Sequence, residues 1–176
     1  DGAIVRAREL ALDFDNYYYA DQYNNGANWH AHFETTGPEI WQQTQGRVTH
    51  LVAGVGTSGT LMGTGRRLKE FNSAIELIEV QPSDELQVIE GLKHMDTAIV
   101  PGIYEPRLAD RRVAVDTDAA YRETHRAARE EGLLLGLSAG AAIAAARQVA
   151  REIEKGIIVV VLPDGGERYL STALWS

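Results

Sequence analysis

The sequence predicts an α/β fold of three layers, a mostly parallel sheet with helices on both faces, and three observations lead there. Residues 48–71, VTHLVAGVGTSGTLMGTGRRLKEF, pass from a short apolar run through closely spaced glycines into a helical pattern. That is the order buried strand, tight turn, helix. Residues 74–80, AIELIEV, alternate as a second strand before Gln81-Pro82, and a strand, helix, strand succession implies a right-handed crossover between parallel neighbours. Residues 157–162, IIVVVL, form an unbroken apolar run, which suits a central strand covered on both sides.

The 176 residues carry a net charge of −8, with 44% hydrophobic and 24% charged side chains. A chain of this size is about one domain and buries roughly 70% of its unfolded surface. The acidic balance argues against nucleic acid, whose phosphates are neutralised by clustered Lys and Arg, and points to small molecules or proteins as partners. No apolar run nears the roughly eighteen residues that a membrane span requires, so no membrane partner is expected. With no cysteine present, disulfides, thiolate-bound zinc and thiol catalysis drop out together. No secretory leader opens the chain, which gives a cytoplasmic expectation. Because the first residue is Asp1 and a helical pattern follows at once, an N-terminal part of a longer parent is expected to be missing.

Taken in order, Ile4, Val5, Ala7, Leu10, Ala11 and Phe14 recur at helical spacing, an amphipathic helix over residues 2–14. Residues 16–20, NYYYA, are aromatic and β-prone, and suggest a strand before the turn Asn24-Asn25-Gly26. His30 and His32 would share one side of a strand at this spacing, but no third ligand is near, so no metal site is expected. Thr36-Gly37-Pro38-Glu39 has the form of a capping box opening a helix over residues 39–45, with Thr35 in turn or capping duty. Residues 83–90 suggest a short helix, and Gly91 then begins an irregular stretch to Pro101-Gly102, a loop of the length that usually serves a site. Residues 113–115 make a further strand, Asp118 opens a helix to Glu131, residues 133–135 make a brief strand, and an alanine-rich helix occupies residues 141–153.

The chemistry concentrates where the glycines are. Gly54, Gly56 and Gly59, interleaved with Thr57, Ser58 and Thr60, offer unpaired amides, hydroxyls and the positive end of a helix dipole to one small anion. A phosphate is the natural guest. Gly54-Val55-Gly56-Thr57-Ser58-Gly59 also matches G-x-G-x-x-G, with Glu79 at the end of the next strand, the pattern of a dinucleotide fold. Three hydroxyls in four residues suit a terminal monophosphate better than a pyrophosphate. A second corner, Gly136-Leu137-Ser138-Ala139-Gly140, and the stop Pro163-Asp164-Gly165-Gly166 should meet the first at the carboxyl rim of the sheet, where open parallel sheets place their ligands.

Five stretches resemble a known family: HFETTGPEIW (32–41), GVGTSGTLMGTGR (54–66), EGLKHMDTAIVPGIY (90–104), EEGLLLGLSAGAAIAAA (130–146) and LPDGGERYLSTALW (162–175). In order, and over nearly the whole chain, they are similar to the cysteine synthases, pyridoxal-phosphate enzymes of the β family that also include cystathionine β-synthase, and most like the B isozyme. The resemblance implies the cofactor domain of fold type II in the C-terminal portion of such an enzyme. Residues 1–40 would be a remnant of the small substrate domain and connector, and residues 41–176 the large domain that binds pyridoxal 5′-phosphate.

The resemblance also implies Gly56, Thr57, Ser58, Gly59 and Thr60 around the cofactor phosphate and Ser138 against its pyridine nitrogen. Gly91 and Lys93 would face the substrate, Lys93 standing where relatives that use O-phosphoserine carry a basic side chain. A hydroxyl at the ring nitrogen does not force protonation as a carboxylate would, which leaves a milder electron sink. The implied reaction is a ping-pong β-replacement: O-acetylserine or O-phosphoserine loses its leaving group to an aminoacrylate, and sulfide adds to give cysteine. The family's Schiff-base lysine lies in a motif resembling SVKDR and its substrate carboxylate in a loop resembling TSGNTG. Neither is here, and the lysines are Lys69, Lys93 and Lys155. No catalytic residue is therefore assigned, the chain is expected to lack turnover alone, and a homodimer is expected for the family. Two other readings stand beside this one, a Rossmann-type dinucleotide-binding domain and a non-catalytic domain that binds partners.

Overall fold

The computed structural model describes residues 2–14 and 16–175; Asp1, with the expectation attached to it, lies outside the described residues. Four strands, β1 (His50–Gly54), β2 (Glu76–Pro82), β3 (Arg111–Val115) and β4 (Ile158–Val160), stand in the order β3-β2-β1-β4. Every pairing is parallel, with Leu51 opposite both Leu77 and Val159, and Val80 opposite Val113.

The pleat sends alternate side chains of β1 and β2 into two separate cores. Val52, Ile78 and Val80 pack with Val113 beneath α5 (Thr117–Glu131) and α6 (Leu137–Ala150). Leu51, Ala53 and Leu77 pack with Leu61, Met62 and Leu68 of α4 (Gly59–Phe71) on the other face. Each of the valine, leucine, isoleucine and methionine side chains among them contributes about 1.5–3 kcal/mol on burial, and together they make the three layers that the sequence predicts. Alanines 141, 142 and 145 are fully buried, so α6 rides close to the sheet. A methyl on Gly140 would lie 2.0 Å from Thr124 Oγ1, which shows how tightly α5 meets α6. Asp116 caps α5 by accepting from the Ala119 amide, and Gly132 ends that helix in the left-handed conformation.

The remaining helices, α1 (Gly2–Asp13), α2 (Ala27–Glu34) and α3 (Thr36–Gln43), precede the sheet. α2 lies directly on α4, since a methyl on Gly63 would fall 2.0 Å from the Trp29 carbonyl oxygen. Among the described residues no helix is long and apolar enough to cross a membrane.

Several local expectations give way. Residues 16–20 form no strand: Tyr18 is 89% exposed, and β-propensity builds no strand without a neighbour to pair with. His30 and His32 sit on α2, where a spacing of two turns the rings apart. The capping box does not form. Thr35 is the N-cap of α3, its hydroxyl donates to the Ala31 carbonyl, and Thr36 Oγ1 meets His32 Nδ1 at 2.9 Å, because α2 runs almost directly into α3.

Residues 83–90 hold turns rather than a helix, with the Leu86 amide bonded to the Asp84 side chain, a local bond that competes with helix. Residues 133–135 contribute only the isolated antiparallel bridge Leu135 to Gly165. β4, expected at the centre, pairs with β1 alone among the described residues, and its three side chains are half-buried. Glu79 does not end its strand, for β2 continues to Pro82.

Candidate functional site

The first corner is strained. The N-cap of α4, Ser58, makes no side-chain cap bond and has φ +70°, left-handed for a residue that is not glycine. That conformation costs roughly 1–2 kcal/mol. The buried Ser58 hydroxyl has no hydrogen-bond partner, which costs about 1–3 kcal/mol more. Strain of this kind collects where a ligand is held. Around it, Thr57 Oγ1 accepts from Asn28 Nδ2 at 3.1 Å and from the Gly59 amide at 3.3 Å. Thr60 Oγ1 lies 3.2 Å from His32 Nε2. Burial lowers the His32 pKa below its ordinary value, so at neutral pH the ring meets Thr60 uncharged.

The cradle is shaped by missing side chains. A methyl on Gly56 would fall 2.3 Å from the Gly91 carbonyl oxygen, and one on Gly59 would fall 1.8 Å from Asn28 Oδ1. Gly91 has φ +89°, and a methyl there would stand 3.6 Å from Ser138 Oγ. One glycine thus touches both corners.

The second corner is built differently. Ser138 is buried at the start of α6, and its amide donates to Asp164 Oδ2 at 3.2 Å, while the Ala139 amide donates to Asp164 Oδ1 at 2.8 Å. Tyr169 donates its hydroxyl to the same Oδ2 at 2.7 Å. Burial, and then the Asp164 carboxylate, hold that phenol well above the ordinary tyrosine value. The expected convergence of residues 54–60, 136–140 and 163–166 therefore occurs, with the loop at Gly91 as the piece between.

That loop is pinned beneath the site. The Lys93 amide donates to the Val55 carbonyl at 2.9 Å, and the Met95 amide to Gln81 Oε1 at 2.8 Å. Glu79, 1% exposed, accepts from Tyr104 Oη at 2.8 Å, from Arg112 Nε at 3.0 Å and from Gln81. Burial and Glu79 push the Tyr104 pKa up to about 12. A carboxylate so occupied in mid-strand is not available to a ribose, which removes the acidic residue that a dinucleotide site needs.

A cavity of about 590 Å³ opens beside Gly56 and Gly91, with Lys93, Glu90 and Tyr23 among its walls. The Lys93 ammonium lies 5.2 Å from the Tyr23 ring centroid and 3.4 Å from the Ile99 carbonyl oxygen. Lys69 pairs with Asp110 at 2.8 Å. His30 stacks on Trp29, and among the described residues no group of three His, Cys, Asp or Glu side chains could hold a metal.

Sequence reasoning missed Asn28 and His32 as members of this site, and it placed Asp164 at the ligand rim within residues 163–166 without assigning it a partner. The first two come from α2, which was not assigned as a helix, its histidines being weighed only as neighbours on a strand. Asp164 follows an apolar strand at the predicted ligand rim, and that position was the available signal.

The profile of the family described as pyridoxal-phosphate dependent enzyme matches residues 1–164. A cysteine synthase of Aquifex aeolicus is 53% identical over all of this chain and 55% of its own length. A cysteine synthase B of Pseudomonas aeruginosa is 43% identical over 88% of this chain and 52% of its own. The crystal structure of O-acetylserine sulfhydrylase isoform 3 from Entamoeba histolytica superposes with a TM-score of 0.89 at 34% identity, over 99% of this chain and 54% of that one. The chain spans about half the length of the relatives it matches.

Proposed function

The chain belongs to the pyridoxal-phosphate dependent enzymes, and from that premise we propose that it supplies the cofactor half of a cysteine synthase of the B type. Gly56, Thr57, Ser58, Gly59 and Thr60 hold the phosphate, and Ser138 meets the pyridine nitrogen. The observation that carries this is the reach of Gly91, which contacts Gly56 on one side and lies against Ser138 on the other. The unpartnered Ser58 hydroxyl fits a phosphate oxygen, and the start of α4, whose N-cap side chain makes no cap bond, supplies amides and the positive dipole end. When bound, the cofactor supplies an electron sink for chemistry at the α- and β-carbons of an amino acid.

The chain's own residues bind and orient. Gly91 lets the loop close on the ring, and Lys93, on the wall of the same cavity, offers a cation to an anionic leaving group or substrate carboxylate. O-acetylserine or O-phosphoserine with sulfide are the proposed substrates, and a cytoplasmic homodimer the proposed setting. The division into a small-domain remnant over residues 1–40 and a cofactor domain over residues 41–176 remains part of the proposal; the packing of α2 on α4 favours drawing the line nearer residue 25.

Two measurements test the reading. Pyridoxal 5′-phosphate titrated into the 176-residue chain should quench tryptophan fluorescence saturably, with inorganic phosphate competing and NADH without effect; NADH binding in its place would restore the dinucleotide reading. Joining the N-terminal part of the Aquifex aeolicus relative to this chain should give a polypeptide that forms cysteine from an activated serine and sulfide. A chimera that binds the cofactor yet makes no cysteine from either activated serine would overturn the substrate assignment.

A further inference from the structure

Asp164 is the unexplained charge of the site. Its two oxygens take three donors, the amides of Ser138 and Ala139 and the Tyr169 hydroxyl. Its own carbonyl accepts from the Gly136 amide at 2.9 Å. A methyl on Gly136 would lie 2.3 Å from Asp164 Oδ2, so the carboxylate is pressed against the first turn of α6. Capping alone would account for the two amide bonds. It does not account for a buried tyrosine spent on the same carboxylate beside the residue proposed to meet the ring nitrogen.

The charges at this point can be compared. The start of a helix carries about half a positive charge, which by itself would drive a proton off a basic nitrogen nearby. Asp164 brings a full negative charge to the same turn and outweighs it. The other charged or titratable groups facing this end are Tyr169, Glu90, which acts on Tyr169 from the loop, Glu167 next to Gly165, and Lys93 across the cavity. Among the described residues no lysine or arginine is paired with Asp164.

We infer that Asp164 is a positioning residue that fixes Ser138 and makes the second corner net negative, so that a phosphorylated pyridine bound there keeps its ring nitrogen protonated to a higher pH than the Ser138 hydroxyl alone would allow. The inference rests on the proposed orientation of the ring. It makes the electron sink stronger than a serine partner by itself implies, with the carboxylate acting through space from its seat on the Ser138 and Ala139 amides.

The test uses pyridoxine 5′-phosphate, which has no aldehyde and needs no lysine, labelled at its ring nitrogen and followed by nitrogen NMR as pH is varied in complex with the 176-residue chain. Asp164→Asn, which keeps an acceptor for the cap, should lower the midpoint of the bound ligand by about one pH unit. Tyr169→Phe, which removes a donor that draws on the carboxylate, should raise it. Glu90→Gln should move it less than Asp164→Asn does. An Asp164→Asn chain that binds more weakly but titrates as the parent does would reduce Asp164 to a cap and overturn the inference. So would a fall with Tyr169→Phe, which also decides the matter if Asp164→Asn fails to fold. Absence of binding to the unaltered chain would instead remove the site, and the inference with it.

Discussion

The two glycine corners both open a helix that packs on the sheet, α4 after strand β1 and α6 after the isolated bridge at Leu135, and they differ in what they do with the helix amides. At α6 the protein brings its own anion, and Asp164 occupies the amides of Ser138 and Ala139. At α4 it brings none: the N-cap side chain makes no cap bond, Ser58 is held left-handed and its buried hydroxyl has no partner. A folded chain meets the cost of an unsatisfied corner only where something from outside completes it. On the proposed reading the first corner receives an anion, and the second, already supplied with one, suits a neutral or protonated group. A phosphate at one and a ring nitrogen at the other is the ligand that this asymmetry describes.

The sharpest way to break the contrast is Gly56→Ala. Its methyl would meet a backbone oxygen, that of Gly91 at 2.3 Å, which cannot swing aside as a side chain could. The expected result is a stability loss of about 1–3 kcal/mol and at least a tenfold loss of pyridoxal 5′-phosphate affinity (roughly 1.4 kcal/mol or more;), read by denaturant melts and fluorescence titration; unchanged binding would mean that the cradle lies elsewhere.

A paired substitution sharpens it. Ser58→Ala should stabilise the empty chain by about 1 kcal/mol, since an unmet polar group is removed, and should weaken binding of inorganic phosphate. Asp164→Ala should do the opposite to the empty chain, destabilising it by about 1–2 kcal/mol through loss of a cap. Thermal melts with and without phosphate separate the two, and melts that move in the same direction would erase the distinction between the corners.

The smallest effect is expected at His32. Burial lowers its pKa, so the unfolded chain takes up a proton more readily than the folded one. Stability is therefore full above the ordinary histidine value and declines as pH falls below it. Urea midpoints at about pH 7.5 and about pH 5.5, on either side of that value, should show this decline, and His32→Gln should flatten it. Phosphate bound at the first corner should flatten it too, because a nearby anion favours the charged ring; an unaltered slope would place the anion away from Thr60.

Legibility in the sequence followed the range of the interactions. The strands β1, β2 and β3, their parallel direction, the helices α1, α3, α4, α5 and α6 and both corners were readable, because glycine spacing and apolar periodicity are local signals. Asn28 was not, nor were the bonds that Asp164 makes from the predicted rim, for their partners Thr57 and Ser138 lie far along the chain and meet them only after α2 and the last strand are docked. The errors have the same origin. The tyrosines at 17–19 have strand propensity and no strand to pair with, and the apolar run at 157–162 is what a central strand looks like, although β4 stands at the edge of the described sheet.

Glu79 cannot be shared. As the acid of a nucleotide site it would have to leave Tyr104, Arg112 and Gln81, and in leaving it would release the segment that seats Gly91 between the corners. Conversion of this scaffold to a dinucleotide binder is therefore not a matter of reshaping one loop. The two occupations of the same carboxylate are alternatives, and a chain that has taken one has dismantled the floor of the other.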